Sequence, residues 1–166
     1  PISTSDRDVV LGLDARHLDR VAAYRRLDAA LGAIAATDRV AYKIDSQLHG
    51  PIDAYLAAFE AHGRTPAFCA ANPRTGRITV DGVHHVPGPS GTATTRVRSI
   101  VGDAAALLID ASLVDELRVG AASAVDRDAV GSAAFLDAWL SERSNANEAP
   151  AAETSVDAAP APRGLL

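Results

Sequence analysis

The densest group of chemically active side chains in this sequence lies at residues 43–50, which read Lys-Ile-Asp-Ser-Gln-Leu-His-Gly. These side chains include a cation, a carboxylate, a hydroxyl and an imidazole: Lys43, Asp45, Ser46 and His49. A short apolar run precedes the stretch, and Pro51, which suits the first position of a helix, follows it. In a parallel α/β sheet, ligands bind at the edge where strands end and helices begin. The stretch is therefore a candidate binding site, although it does not by itself name a ligand.

The elements that must position this stretch are predicted from apolar runs that alternate with helical stripes. Short continuous apolar runs, typical of strands buried on both faces, lie at residues 9–13, 40–44, 66–71, 106–109 and 129–130. Apolar residues on one face predict helices at residues 19–36 and 51–62, and a last helix that ends near residue 143. A capping pair, Ser112 with Asp115, predicts another helix at residues 112–124.

One segment interrupts this alternation. Residues 78–86, which contain Asp81-Gly82, are interpreted as a short hairpin, and residues 87–95 as a loop. The remaining pattern predicts an α/β fold, a three-layer, open and mainly parallel sheet with helices on both faces.

The core is expected to be aliphatic, because aromatic residues make up only 4% of the chain. The first helix should bury one stripe: Val21, Tyr24, Leu27, Leu31 and Ile34. The last helix should bury another: Phe135, Leu136, Trp139 and Leu140. Cys69 lies in an apolar run and is interpreted as a small buried hydrophobe rather than a nucleophile.

The composition argues against several classes of protein. The net charge of -5 and the absence of a basic run argue against nucleic-acid binding. No apolar run approaches the roughly 20 residues that span a bilayer, and the first residues lack a signal peptide's apolar segment. A single cysteine excludes an internal disulfide and fits a reducing compartment, so a cytoplasmic location is expected. The chain begins with Pro1 and contains no methionine, so it is either processed or a piece of a longer protein.

One α/β domain is expected at residues 1–143. From residue 144 onward Ala, Pro, Glu and Asn dominate, and no aromatic residue occurs. Such a segment buries too little apolar surface to offset the entropy of ordering it. Residues 144–166 are therefore predicted to be a disordered tail or a linker.

In a parallel sheet, the polar side chains that follow the strands would meet at one edge. Three of them carry positive charge suited to a carboxylate or a phosphate: Arg16, Lys43 and Arg77. Others could accept hydrogen bonds from hydroxyls or donate them: Asp14, Asp45, Ser46 and Asn72. This set suits a small polyhydroxylated acid better than an apolar ligand. Gly131-Ser132, at a helix start, could also receive an anion on backbone N–H groups.

The same residues have structural interpretations that stay open at this point. Asp45 and Ser46 could simply cap the helix that begins at Pro51. Arg16 could pair with a nearby carboxylate, Asp14 or Asp19, and Arg77 could pair with Asp81.

Two further groups are interpreted as structural. Asp110 and Ser112 are more plausible as caps than as ligands, with Ser112 and Asp115 as a capping pair. His84 and His85 are neighbours on a predicted strand, so they point to opposite faces and do not form a metal site together. The sequence contains no P-loop, no GxGxxG, no GxSxG and no CxxC motif.

Several segments, taken in order, resemble the four-carbon acid sugar kinase family. Residues 43–50 resemble its Lys-x-Asp-Ser-Thr-Leu-Arg-Gly signature, and residues 72–83 resemble its Pro-x-x-Gly-Arg-x-x-x-x-Gly segment. Residues 13–17 are similar to its Asp-x-x-Ser-Arg stretch after an early strand. Residues 109–111 and 130–133 are similar to its Val-Asp-Ala and Gly-Ser-Ala-Gly elements.

The resemblance implies the N-terminal domain of a two-domain enzyme. In that family the N-terminal domain binds an acid such as erythronate, threonate or an oxo-tetronate. The C-terminal domain binds ATP, and a phosphoryl group passes to a terminal hydroxyl with Mg²⁺ as the metal. The implied substrate pocket comprises six residues: Arg16, Lys43, Asp45, Ser46, His49 and Arg77. The chain shows no nucleotide-binding domain, so ATP and Mg²⁺ would be bound by a separate domain or chain.

Besides the missing nucleotide-binding domain, the chain departs from the family pattern at three points. The span between Gly88 and Leu107 is shorter than the family pattern, as if a strand and a helix were deleted. No segment matches the family's opening Asp-Asp-x-Thr-Gly-Ala loop, and His49 stands where the signature has arginine. An imidazole is mostly neutral at pH 7, so it binds an anion less strongly than a guanidinium. Two other functions stay open: a module that binds a small hydroxy acid without turnover, and a scaffold that kept the sheet and lost the pocket.

Overall fold

The computed structural model describes residues 12–148. These residues contain five α-helices: α1 (Arg20–Gly32), α2 (Ile52–Ala61), α3 (Val97–Val101), α4 (Val114–Ala122) and α5 (Ala133–Glu148). They also contain seven strands: β1 (Ala41–Lys43), β2 (Ala67–Cys69), β3 (Ile78–Val80), β4 (Val83–Gly88), β5 (Gly91–Arg96), β6 (Leu107–Leu108) and β7 (Ala129–Gly131). One turn of 3-10 helix, Pro73–Thr75, connects β2 to β3.

Four of the strands form a parallel sheet in the order β1-β7-β2-β6. Val130 in the centre of β7 lies opposite both Tyr42 in β1 and Phe68 in β2. Because all four strands run in the same direction, the loops that follow them share one edge of the sheet. The parallel α/β architecture predicted from the sequence is confirmed.

Side chains of the central strands alternate between two cores, as the pleat of a strand requires. Phe68 and Val130 pack in one cluster with residues of α1, α2 and α3. Cys69 and Ala129 pack in the other, with residues of α4 and α5. Helices therefore cover both faces of the sheet. Cys69 is buried as predicted, and burial raises the pKa of its thiol to about 12.

The predicted core stripe of α1 is correct at its centre and wrong at its start. Leu27 and Leu31 are buried, but Val21 is 59% exposed and Ala23 is buried in its place. The buried positions thus recur at a spacing of four, and Val21 lies off that line. The helix begins where Asp19 accepts a 2.9 Å hydrogen bond from the backbone N–H of Ala22.

The stripe of α5 shows a similar difference. Phe135, Leu136 and Trp139 are buried, whereas Leu140 is 48% exposed. The helix continues to Glu148, past its predicted end, and the rest of the predicted tail lies outside the described residues. The predicted strand at residues 9–13 also lies outside them, except for Gly12 and Leu13, which form no strand.

The predicted hairpin is confirmed and proves longer than expected. Asp81 and Gly82 join β3 to β4 with positive φ angles of 50° and 69°, as a tight two-residue turn requires. The prediction of a loop at residues 87–95 is wrong. β4 extends to Gly88, and β5 pairs antiparallel with β4. β5 is mostly exposed and rich in threonine, so it lacks the apolar alternation by which strands are recognised.

Two predicted helix caps are wrong, at the starts of α2 and α4. Pro51 precedes α2 with no side-chain cap, so Asp45 and Ser46 do not cap that helix. At α4 the capping carboxylate is Glu116, not Asp115. Its Oε2 accepts hydrogen bonds from the backbone N–H and hydroxyl of Ser112 at 2.8 and 2.7 Å. These hydrogen bonds lower the pKa of Glu116.

None of the helices among the described residues combines the length and the apolar character needed to cross a membrane.

Candidate functional site

A cavity of about 880 Å³ runs along β1 and is lined by residues of α1 and α5. Much of its wall is apolar and includes Leu31 and Trp139. At the carboxyl end of β1 the wall becomes polar. Four of the six predicted substrate-binding residues line this polar end: Arg16, Lys43, Asp45 and His49. The structure thus brings together side chains from the loop before α1 and the loop after β1.

Asp45 is the centre of this polar end. Its Oδ2 lies 2.7 Å from Arg16 Nη2 and 3.1 Å from His49 Nδ1, and its Oδ1 accepts the Gln47 N–H at 3.0 Å. Arg16 therefore pairs with Asp45 and not with a neighbour in sequence. Arg16 Nη2 also lies 3.4 Å from His49 Nδ1. That nitrogen can donate to Asp45 only when protonated, and can accept from Arg16 only when it is not.

The environment of Asp45 favours its charged form. Burial by itself would raise the pKa of Asp45. The Gln47 N–H, the Arg16 guanidinium and His49 outweigh that effect and lower the pKa below its usual value. Asp45 is therefore a carboxylate at neutral pH, able to accept hydrogen bonds from a ligand's hydroxyls.

The loop after β1 is held against the loop before α1. Gly50 has a φ of 105°, and a Cβ at this position would lie 3.2 Å from the Tyr55 hydroxyl and 3.3 Å from the Arg16 carbonyl oxygen. The Tyr55 hydroxyl donates to the Ala15 carbonyl at 3.1 Å. Glycine therefore permits the close approach of the two loops, which places Arg16 beside Asp45.

Ser46 and Arg77 adjoin this polar end without lining the cavity. Arg77 Nη1 donates to the Ser46 hydroxyl at 2.8 Å, and Ser46 is only 9% exposed. Arg77 thus pairs with Ser46 and not with Asp81, the partner considered from the sequence. The two residues support the loop after β1 from the side of the β3–β4 hairpin.

The other polar residues of the sheet edge have different positions. Asp14 lines the cavity and has a positive φ of 45°. Asn72 and Thr75 bond within their own loop, where the Thr75 hydroxyl donates to the Asn72 carbonyl. Asp110 accepts the N–H of Gly82 at 2.8 Å and so anchors the hairpin turn.

Gly131-Ser132 is part of the core and does not offer the expected anion position. Ser132 is fully buried, and its backbone N–H donates to the Cys69 carbonyl at 3.0 Å. Its hydroxyl donates to the Ala71 carbonyl at 2.6 Å and accepts the Phe135 N–H at 3.2 Å. Ser132 is therefore the N-cap of α5.

His84 is a residue of this region whose position was not foreseen. It is 1% exposed, and its Nε2 lies 2.7 Å from the Ser46 carbonyl oxygen. The sequence predicted only that His84 and His85 would point to opposite faces of a strand; it did not identify which is buried or its partner. Within residues 12–148, no three His, Cys, Asp or Glu side chains are grouped as a metal ion would require.

Comparison with models of known protein families matches residues 2–127 to the family described as the sugar-binding N-terminal domain. The match covers well over half of the chain. A search of curated proteins finds none that matches.

Proposed function

This chain belongs to the family of sugar-binding N-terminal domains, and we propose that it binds a small polyhydroxylated acid at the polar end of the cavity along β1. One observation carries the proposal. Arg16 and Asp45, from separate loops, meet at 2.7 Å where Lys43 and His49 also line the wall. Cationic donors and an anionic acceptor at one position are the groups that a hydroxy acid needs.

The two kinds of charge would bind different parts of the ligand. Lys43 is exposed and lines the cavity, and its ammonium group can bind a carboxylate as a point charge. Asp45 would repel a carboxylate, but it can accept hydrogen bonds from hydroxyls. A molecule with an acid group at one end and hydroxyls beside it satisfies both. Ser46 and Arg77 support the loop that carries Asp45.

We assign the finer role by the resemblance to four-carbon acid sugar kinases. In this assignment the chain supplies the substrate-binding part of a phosphotransferase that acts on a tetronate-like acid. ATP and Mg²⁺ would be bound by a separate nucleotide-binding domain or chain. The described residues hold no cluster of metal-binding side chains, so no phosphoryl-transfer step is assigned to them.

A binding module without turnover is the second candidate function. This candidate requires only the charges and hydrogen-bonding groups of the described side chains at the cavity, and no nucleotide site. The two candidates are distinguished by adding Mg-ATP to the acid-bound chain, alone and with a nucleotide-binding partner. A phosphorylated acid supports the kinase assignment, and unchanged acid in both mixtures supports the binding module.

Calorimetric titration with erythronate, threonate and erythritol tests the binding proposal. The two acids should bind, and erythritol, which has hydroxyls but no charge, should bind roughly 10- to 100-fold more weakly through loss of the charge-assisted contact. Lys43→Ala should weaken acid binding by a similar factor. Arg25→Ala, which removes an exposed cation on α1, is the matched control and should bind as the wild type does.

Two results would overturn the proposal. One is the failure of both acids to bind at millimolar concentration. The other is equal acid affinity in the wild type and in Lys43→Ala.

A further inference from the structure

The His84 imidazole is bonded at both nitrogens beneath the loop that follows β1. Its Nε2 lies 2.7 Å from the Ser46 carbonyl oxygen, and its Nδ1 lies 2.9 Å from the Thr79 hydroxyl. A carbonyl oxygen only accepts, so Nε2 must carry the proton. In the neutral ring Nδ1 then accepts from the Thr79 hydroxyl. The contacts therefore select the neutral tautomer of His84 that carries its proton on Nε2.

The carbonyl that His84 holds belongs to the peptide unit that orients Asp45. The Ser46 carbonyl and the Gln47 N–H are the two ends of one planar peptide group. The Gln47 N–H donates to Asp45 Oδ1 at 3.0 Å, and Arg16 binds Asp45 Oδ2 at 2.7 Å. A continuous series of hydrogen bonds thus connects His84, through this peptide, to the carboxylate at the cavity wall.

The β3–β4 hairpin that carries His84 is itself anchored, through β3 and the turn, to the loop after β6. The Thr79 N–H donates to the Ala111 carbonyl at 2.9 Å, and the Gly82 N–H donates to Asp110 at 2.8 Å. The hairpin is therefore fixed to the loop after β6, and His84 reaches from this frame to the loop after β1. That loop needs such support, because Leu48 holds an unfavourable φ of 61°.

We infer that His84 is a positioning residue of the sugar-acid site, because it fixes the Ser46–Gln47 peptide so that the Gln47 N–H holds Asp45 toward Arg16. The inference rests on the proposed function for its effect on ligand binding. The orientation of the peptide itself is a separate property, and it can be measured without a ligand.

Two amide variants of different reach test this role. The amide nitrogen of His84→Gln can occupy the place of Nε2 and keep the hydrogen bond to Ser46, whereas His84→Asn is one carbon shorter and cannot. His85→Asn, on the opposite face of β4, is the matched control. Circular dichroism first establishes a temperature at which all the variants are folded.

Erythronate affinity should fall roughly tenfold in His84→Asn and recover to within about threefold of the wild type in His84→Gln. His85→Asn should bind as the wild type does. Hydrogen exchange of the Gln47 amide should accelerate in His84→Asn alone. If His84→Asn does not fold, Thr79→Val, which removes the hydroxyl at Nδ1, takes its place and should also weaken binding and speed that exchange.

The role is overturned if His84→Asn, or Thr79→Val in its place, leaves both affinity and Gln47 exchange unchanged. It is also overturned if His84→Gln is as impaired as His84→Asn, because the donor at Nε2 is then not the cause. If the wild-type chain does not bind erythronate, the proposed function fails. The Gln47 exchange rates then still decide whether His84 holds the loop.

Discussion

Arg77 donates a 2.8 Å hydrogen bond to the Ser46 hydroxyl across 31 positions of sequence. The contact joins the β3–β4 hairpin to the loop after β1, the two segments that carry the most specific motifs of the chain. His84 makes a second contact between the same segments, at the Ser46 carbonyl. The hairpin therefore supports the loop that carries Asp45, while Arg16, Lys43 and His49 line the cavity beside it.

Arg16→Ala should separate binding from stability. Its pair joins an arginine that is 53% exposed to an Asp45 carboxylate that is 15% exposed and is also held by the Gln47 N–H and His49. Because the cation is exposed and Asp45 keeps these other partners, the loss should be about 1 kcal/mol in the free energy of unfolding. Without Arg16 the Asp45 carboxylate would be uncompensated and would repel the carboxylate of a bound acid. Charge-assisted contacts are worth about 1.5–3 kcal/mol, so acid affinity should fall roughly tenfold or more. Urea unfolding and calorimetric titration measure the two effects.

The matched control for Arg16 is Arg20→Ala. Arg20 forms an exposed ion pair with Asp53 at the start of α2 and does not line the cavity. This variant should lose as little stability as Arg16→Ala and keep its acid affinity. Equal loss of affinity in both variants would contradict the placement of Arg16 in the site.

Asp128→Ala should be strongly destabilising. Asp128 and Arg64 form an ion pair at 3.0 Å with side chains only 5% and 9% exposed, and Asp128 also accepts the Val40 N–H at 2.8 Å. Removing one partner leaves a buried charge without its counterion, which costs about 3–5 kcal/mol. Urea unfolding measures the loss.

Asp126→Ala, which removes an exposed carboxylate in the same turn, controls for the change in net charge. It should alter the free energy of unfolding by less than about 0.5 kcal/mol, as surface substitutions usually do. If Asp128→Ala lowers the free energy of unfolding by no more than this, the Asp128–Arg64 ion pair does not contribute strongly to stability.

Stability should decrease in acid because of His84. Burial, together with the nearby charges of His85 and Arg77, lowers the pKa of His84 in the folded chain. The unfolded chain, with a histidine pKa of about 6.5, therefore takes up the proton first as the pH falls. Above the unfolded pKa, the neutral His84 contributes its full share to the free energy of unfolding. This contribution is lost as the pH falls from the unfolded pKa through the folded pKa. The free energy of unfolding then decreases by at most about 1.4 kcal/mol per pH unit.

Urea unfolding of the wild type and of His84→Gln between pH 8 and pH 5 measures this dependence. The other titrating groups are common to both chains, so their effects cancel in the difference. The stability advantage of the wild type over His84→Gln should be constant above pH 7 and shrink below it. A difference that stays constant to pH 5 would mean that His84 does not titrate as described.

Some elements of the fold were predictable because their signals lie in short segments of the sequence. The apolar run before Lys43 and the proline after Gly50 predicted β1, its loop and the start of α2. Asp81-Gly82 predicted a two-residue turn, because few other residues tolerate positive φ at both positions. β5 gave no such signal, because its threonines are exposed and carry no apolar alternation.

The partners of the polar residues were not predictable in the same way. From sequence, the nearest carboxylates for Arg16 are Asp14 and Asp19, but the structure pairs it with Asp45. An ion pair depends on distance in space, and the distance here follows from the close approach of two loops at Gly50. Similarly, the predicted cap of α4 was Asp115, but the structure shows Glu116 in that role, because its longer side chain reaches back to Ser112.

The sequence by itself determined the parallel α/β plan and named six candidate site residues, because side-chain periodicity and residue chemistry are properties of short segments. Only the tertiary structure decided that four of those residues line one cavity and that Ser46 and Arg77 support them from outside it. That division arises from the packing of the hairpin against the loop after β1, which depends on contacts between segments far apart in the chain.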